Sequence, residues 1–141
     1  VKYMIRASAY LAAGYDQKER MRGYRAQLQA TGDITVTSRW LDEAEEKPLQ
    51  DAEISKDPET AMRYGEMDFE DIDKAEIFVM FTDTPSTSGG RHTELGYAIA
   101  RCKVIVIVGP QENVFQAYST AIHLQTWEQL IEFLFGATPE S

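Results

Sequence analysis

Four carboxylates, Asp68, Asp71, Asp83 and Glu94, fall where the chain reads as the C-terminal edge of a sheet. Two positioned carboxylates at such an edge can cleave a glycosidic bond, one as nucleophile and the other as acid or orienter. Glu94 stands out, because the polar loop DTPSTSGGRH delivers it into the first turn of a helix. A helix start favours negative charge through its dipole, and the plainer reading of a Glu there is that it does only this. Asp68 lies in a helix with other acids, where a solvated face is the plainer reading, and Asp71 is its fallback. Asp83 ends a strand and is read either as a loop cap or as a substrate contact.

Other chemistries lack their residues. No GxGxxG follows the first strand and no GxxxxGK[ST] is present, so neither dinucleotide nor P-loop binding is supported. There is no GxSxG elbow for a Ser/His/acid triad. The two histidines, His92 and His123, lie far apart and neither has a partner at zinc spacing, so no metal and no cofactor is expected. The net charge of -9, from 23 acids against 14 Lys and Arg, argues against duplex nucleic acid, whose binding is driven by phosphate neutralisation. A small phosphorylated ligand stays open, since it needs only a local nest of donors.

The elements that must position these groups are read from periodicity. IFVMF (77–81) and VIVIV (104–108) are apolar runs of doubly buried strands. Between them TELGYAIARC is helical, with Leu95, Ala98, Ile99 and Cys102 on one inward face, so Cys102 is expected to be an inert core thiol. Upstream, IRASAYL is a strand, Gly14 and Asp16 mark a turn, and Gln17 to Ala30 is an amphipathic helix. Met21, Tyr24 and Leu28 form its inner side, with Lys18, Arg22 and Arg25 outward. ITVTSRWL (34–41) reads as a strand by its β-branched alternation. Residues 42–60 are acidic and broken by Pro48 and Pro58, a solvated excursion or a lid. Residues 61–76 return to helical spacing, with Met62, Met67, Phe69 and Ile72 inward. A short strand near AIHL and a final helix capped by Thr126, with Glu128 in its first turn, close the chain.

Alternating strands and helices define an α/β fold: a Rossmann-like (flavodoxin-like) parallel sheet of about four or five strands flanked by helices. With 141 residues and 16.0 kDa, one domain over 1–141 is expected. No apolar stretch approaches a membrane span and no signal peptide precedes the first strand, so a cytoplasmic setting is expected.

Several segments resemble one family. YLAAGY near the start, TSRWL, D-x-x-D-I-x-x-A and SGGRHTELGYAIA occur in the order found in the nucleoside 2-deoxyribosyltransferase superfamily, over roughly Ile5 to Phe133. That group includes base-exchanging transferases and nucleoside 5′-monophosphate N-glycosidases. The resemblance implies that Glu94 is the nucleophile, attacking the anomeric carbon to form a glycosyl ester. It implies that Asp68, in MDFEDI, is the second acid, which orients the sugar or handles the proton of the leaving base. A helix start would keep the Glu94 carboxylate ionised, as a nucleophile must be.

Ser88 stands where members acting on free nucleosides carry an acid and monophosphate-specific members a Ser. With Ser86, Gly89, Gly90 and Arg91 it is a candidate 5′-phosphate site. The first loop, AAGYDQKER, lacks the Gly/Arg-rich character of related monophosphate glycosidases, with Lys18 or Arg20 as substitutes. Tyr10, Gly14, Tyr15, Trp40 and His92 are candidate contacts to the nucleoside, and Asn113 one that approaches from a neighbouring subunit. Relatives are commonly dimers or larger, so a homodimer or higher homo-oligomer is implied. The sequence stops soon after its last helix, without the aromatic-rich tail of the transferases, so hydrolysis is expected ahead of base exchange. A non-catalytic nucleotide-binding protein on the same fold is the reading from another class.

Overall fold

The structure is a computed structural model and describes residues 6–43, 56–85, 89–118 and 120–136. Strand β1 spans Ala7–Ala12, helix α1 Lys18–Ala30, β2 Ile34–Val36, helix α2 Pro58–Lys74 and β3 Ile77–Phe81. Helix α3 spans Gly90–Ala100, β4 Val104–Val108, β5 Ile122–Leu124 and helix α4 Trp127–Phe135. Short 3-10 turns sit at Tyr15–Gln17 and Arg39–Asp42. All five strands pair in parallel in the order β2-β1-β3-β4-β5.

That order is the flavodoxin-like one and reverses between β1 and β3, where open α/β sheets bind ligands outside the strand ends. β3 is buried along its whole length, as its apolar run requires. The helices cover both faces. Phe69 of α2 stacks on Tyr97 of α3 at 4.2 Å on one side, and Tyr24 of α1 on Trp127 of α4 at 3.8 Å on the other. Tyr10 of β1 pairs in register with Phe78 of β3, and their rings stack nearly parallel at 5.8 Å.

The α/β reading therefore holds, with local corrections. The expected strand 34–41 stops at Val36 and gives way to the 3-10 turn. The backbone N–H and C=O of Leu11, which a longer β2 would have met, are taken by the Ser38 hydroxyl and the Trp40 indole, at 2.8 and 2.9 Å. Helix α2 begins earlier than expected. Asp57 caps it by accepting the Thr60 N–H, and Pro58 sits at the first helical position, where a missing N–H costs nothing. Met62 is 58 % exposed and does not face inward.

Lys18, expected outward, is buried: its ammonium lies 4.0 Å from the Tyr15 ring centroid and donates to the Glu43 carbonyl. Cys102 is exposed and not a core thiol, because α3 ends before it. It adopts a left-handed φ of 59°. Its N–H donates to the Ile99 carbonyl and that of Lys103 to the Ala98 carbonyl, a Schellman ending. Thr126 caps α4 as expected, accepting the Gln129 N–H at 3.1 Å. Most of the acidic 42–60 excursion lies outside the described residues. Among the described residues no helix is long and apolar enough to cross a membrane.

Candidate active site

Three side chains converge beside the β1/β3 switch point. Tyr10 is fully buried in β1, and its hydroxyl donates a short hydrogen bond to Glu94 Oε2. Glu94 projects from α3 and is partly buried. Asp68 comes from α2, is also partly buried, and carries an Oδ1 that is shielded from solvent with no hydrogen-bond partner among the described residues. A buried carboxylate oxygen left unpaired favours the neutral acid, because ionising it would strand a charge.

The electrostatics follow from that placement. Burial first, then the charge of Asp68, push the Glu94 carboxyl up to about 8, against the pull of the Tyr10 hydrogen bond. Burial, then Glu43, then Asp71, push Asp68 up to about 7, opposed by Arg39. Tyr10 is held well above its ordinary value by burial and then by Glu94. Two expectations are corrected here. Glu94 is in the second turn of α3, not the first, because the helix already starts at Gly90. The helix start does not hold its carboxyl in the ordinary range: burial, and then the charge of Asp68, push it up.

This raised value has a consequence for stability. The unfolded chain sheds the Glu94 proton in the ordinary carboxylate range, whereas the folded chain holds it to about 8. Between those limits the native state binds more protons, so stability falls as pH rises. The penalty is absent at low pH and complete above about 8, where we expect Glu94→Gln to be more stable than the parent by about 4 to 5 kcal/mol. Urea unfolding of both proteins at acid and alkaline pH checks this; parallel curves would refute it.

The remaining candidates are placed as follows. Asp71 is buried and its carboxylate accepts the Arg39 backbone N–H and Nε–H, at 2.9 and 2.8 Å, which ties the 3-10 turn to α2. Trp40 is only 7 % exposed and its indole N–H is bound to Leu11, so it serves the core and offers no free face for stacking a base. Tyr15 is partly buried, tilted against Trp40 with centroids 6.1 Å apart. Gly14 precedes the first 3-10 turn, where a Cβ would lie 2.7 Å from Asp16 Oδ1.

Asp83 receives both guanidinium nitrogens of Arg20, so neither this arginine nor Lys18 reaches outward from the first loop. Gly89 caps α3 in the left-handed region at φ 79°, which a residue with a Cβ rarely adopts, and Gly90 is the first helical residue. Arg91 turns inward: it is buried and donates to the Phe81 carbonyl at 2.7 Å and to both Glu112 oxygens. His92 Nδ1 lies 3.4 Å from Asn113 Nδ2 and 3.4 Å from Gln116 Nε2, so Asn113 meets the histidine of its own chain. Ser86 and Ser88 lie outside the described residues.

The structure thus brings together Tyr10, Asp68 and Glu94, and places His92 and Asn113 in a separate cluster with Glu112 and the fully buried Gln116. Sequence reasoning missed Arg39 and Glu43, whose charges act on Asp68. Arg39 stood inside an expected strand, and Glu43 stood within the 42–60 run read as solvated. Neither carried a signal. Among the described residues no group of three His, Cys, Asp or Glu side chains could hold a metal ion.

No protein-family model matches the chain, and no curated protein matches it in sequence. Solved structures do share its fold. One is the CMP N-glycosidase BcmB of Clostridium botulinum, with a TM-score of 0.56 and 17 % identity, covering 90 % of this chain and 97 % of that one. Another is a 2-deoxyribosyltransferase from the psychrotolerant bacterium Bacillus psychrosaccharolyticus, with a TM-score of 0.65 and 19 % identity, covering 88 % and 90 %. The chain therefore shares the fold of these two proteins over nearly its whole length. At these identities the likeness speaks for the fold.

Proposed function

We propose that this chain cleaves the N-glycosidic bond of a (deoxy)nucleoside 5′-monophosphate through a covalent glycosyl ester on Glu94. The observation that carries this reading is the Glu94 carboxyl, gripped by the Tyr10 hydroxyl and in the field of Asp68, at the switch point of the sheet. An Oε of ionised Glu94 attacks C1′, the C1′–N bond breaks, and its electron pair leaves with the base. Asp68 gives its proton to that base. Water then attacks C1′, Asp68 takes a proton from it, and the Glu94 carboxylate is released.

With Asp68 near 7 and Glu94 near 8, the working arrangement (Asp68 protonated, Glu94 ionised) is the minor form of the singly ionised pair. A bell-shaped kcat/KM profile with limbs near those values follows. Tyr10 lowers the Glu94 carboxyl by donating to it, so Tyr10→Phe should move the alkaline limb upward and reduce kcat/KM by about tenfold. A profile that stays in place would remove Tyr10 from this role.

The 5′-phosphate is supported by the start of α3. Its first N–H groups have no intrahelical partner, and Gly89 and Gly90 let an anion approach them closely. Because Arg91 is committed to Glu112, the phosphate would rest on backbone donors and on the dipole. Base exchange is the second reading, favoured by the higher TM-score of the deoxyribosyltransferase. Both share the first half-reaction and differ in whether water or a base opens the ester.

Chromatography of purified protein against ribo- and deoxyribonucleosides and their 5′-monophosphates, with and without free base, separates them. Base released from a monophosphate alone establishes hydrolysis. New nucleoside appearing only with an added base establishes exchange. Bound but intact ligand throughout would overturn both.

A further inference from the structure

We propose that Arg91 is a positioning residue for the nucleophile: it staples the start of α3 to the end of β3, and so holds Glu94, one turn further on, against Tyr10. The inference rests on the glycosidic reading above. A closed ring of contacts carries it. Tyr10 of β1 pairs in register with Phe78 of β3, and their rings stack at 5.8 Å. Further along the same strand, the carbonyl of Phe81, its last residue, accepts from Arg91 Nη1 at 2.7 Å. Arg91 directly follows Gly90 at the start of α3, and Glu94 stands about one helical turn beyond it. Glu94 Oε2 then accepts from the Tyr10 hydroxyl, which brings the ring back to β1. The two ends of that hydrogen bond are therefore joined twice, directly and through Arg91. With Oε2 held by Tyr10, Oε1 is the oxygen left to bond to C1′.

The place suits a guanidinium. The β1–β3 pairing runs to Ala12 and Met80, so the Phe81 carbonyl that Arg91 takes lies just past it. A planar fork meets acceptors on two sides at once, which a point charge does not. While Nη1 holds Phe81, Nη2 donates to both oxygens of Glu112, at 2.9 and 2.8 Å. Arg91 is only 3 % exposed, and a charge buried so deeply needs that carboxylate beside it. Glu112 is fixed in its turn. Its N–H donates to Gln116 Oε1, and the fully buried Gln116 returns Nε2 to Glu112 Oε1 at 3.2 Å. The segment after β4 is also tied to β3, where the Thr82 hydroxyl donates to the Pro110 carbonyl at 2.6 Å. Arg91 thus stands on a rigid footing at the end of the sheet and acts by placing α3, not by touching the sugar.

The test is a double-mutant cycle of Arg91→Lys with Tyr10→Phe. Lysine keeps the charge but loses the fork, so it cannot hold the Phe81 carbonyl and Glu112 in the same geometry. Arg91→Lys alone should lower kcat about tenfold and leave KM within about twofold, because the nucleophile is displaced and substrate binding is not. In a Tyr10→Phe background, where the bond it positions is already gone, the same change should cost about twofold or less. The Glu94 carboxyl carbon, followed by NMR in the ligand-free protein, reads the same geometry. The Tyr10 hydrogen bond pulls that carboxyl down, so its midpoint of about 8 should rise by about half a pH unit in Arg91→Lys and move no further when Tyr10→Phe already lacks the bond. Glu112→Gln, which leaves Arg91 whole, should show the same pattern with a loss of about threefold, and it carries the test should the lysine variant not fold. A loss of kcat as large in the Tyr10→Phe background as in the parent overturns the proposal, and so does a Glu94 midpoint that stays in place. Midpoints that shift as expected in a protein that cleaves no nucleoside at all count against the glycosidic reading and leave the hold of Arg91 on Glu94 standing.

Discussion

Glu94→Gln should lower the rate of base release by about 10,000-fold, the largest effect expected of any single change in this chain. The substitution keeps the size of the side chain and leaves an amide oxygen to accept from Tyr10, so the site should keep its shape. What it removes is the lone pair that bonds to C1′. Substrate affinity should change little, so the loss should fall on kcat and leave KM nearly unaltered. Steady-state assays with the substrate found in the chromatographic survey check both numbers. A fall of less than about tenfold would show that another group bonds to the sugar or that water attacks directly.

Asp68→Asn is the second, with an expected loss of about 100- to 1,000-fold. Its character matters more than its size. An acid that protonates the departing base is needed most when the base leaves poorly and least when the leaving group is stable as an anion. The loss should therefore shrink to about tenfold for a nitrophenyl glycoside of the same sugar, whose leaving group needs little help. The asparagine variant should also lose the alkaline limb of the pH profile, leaving only a rise that follows ionisation of Glu94. An equal loss on both substrates would instead assign Asp68 to holding the sugar.

The parallel α/β sheet was legible because its signals are redundant. Two doubly buried strands, IFVMF and VIVIV, read as apolar runs whatever surrounds them, and one helix between them fixes their handedness. The strand expected at 34–41 was misread because alternation ignores what a side chain does with its polar atoms. Ser38 and Trp40 supplied the bonds of a ladder without extending it. Cys102 matched the inward face by spacing, yet the helix ends at Ala100 and Cys102 itself takes the left-handed turn that closes it. Glu94 was expected to be held ionised by the helix start, whereas burial pushes its carboxyl up. A sequence shows that a Glu follows a Gly-rich loop; it does not show that the fold buries it within the field of a second carboxyl. Glu43 carried no pattern at all, since its carbonyl meets Lys18 and Arg22 only in the folded chain.

The most direct test of the account is to trap the ester. Protein mixed with a 2-deoxy-2-fluoro nucleoside 5′-monophosphate, whose fluorine slows opening of the ester more than its formation, would be quenched in acid and digested. Mass spectrometry should find one sugar phosphate on the peptide containing Glu94, with free base released in equal amount and no adduct in Glu94→Gln. Base released with every peptide unmodified, or the sugar found on another residue, would contradict the central claim.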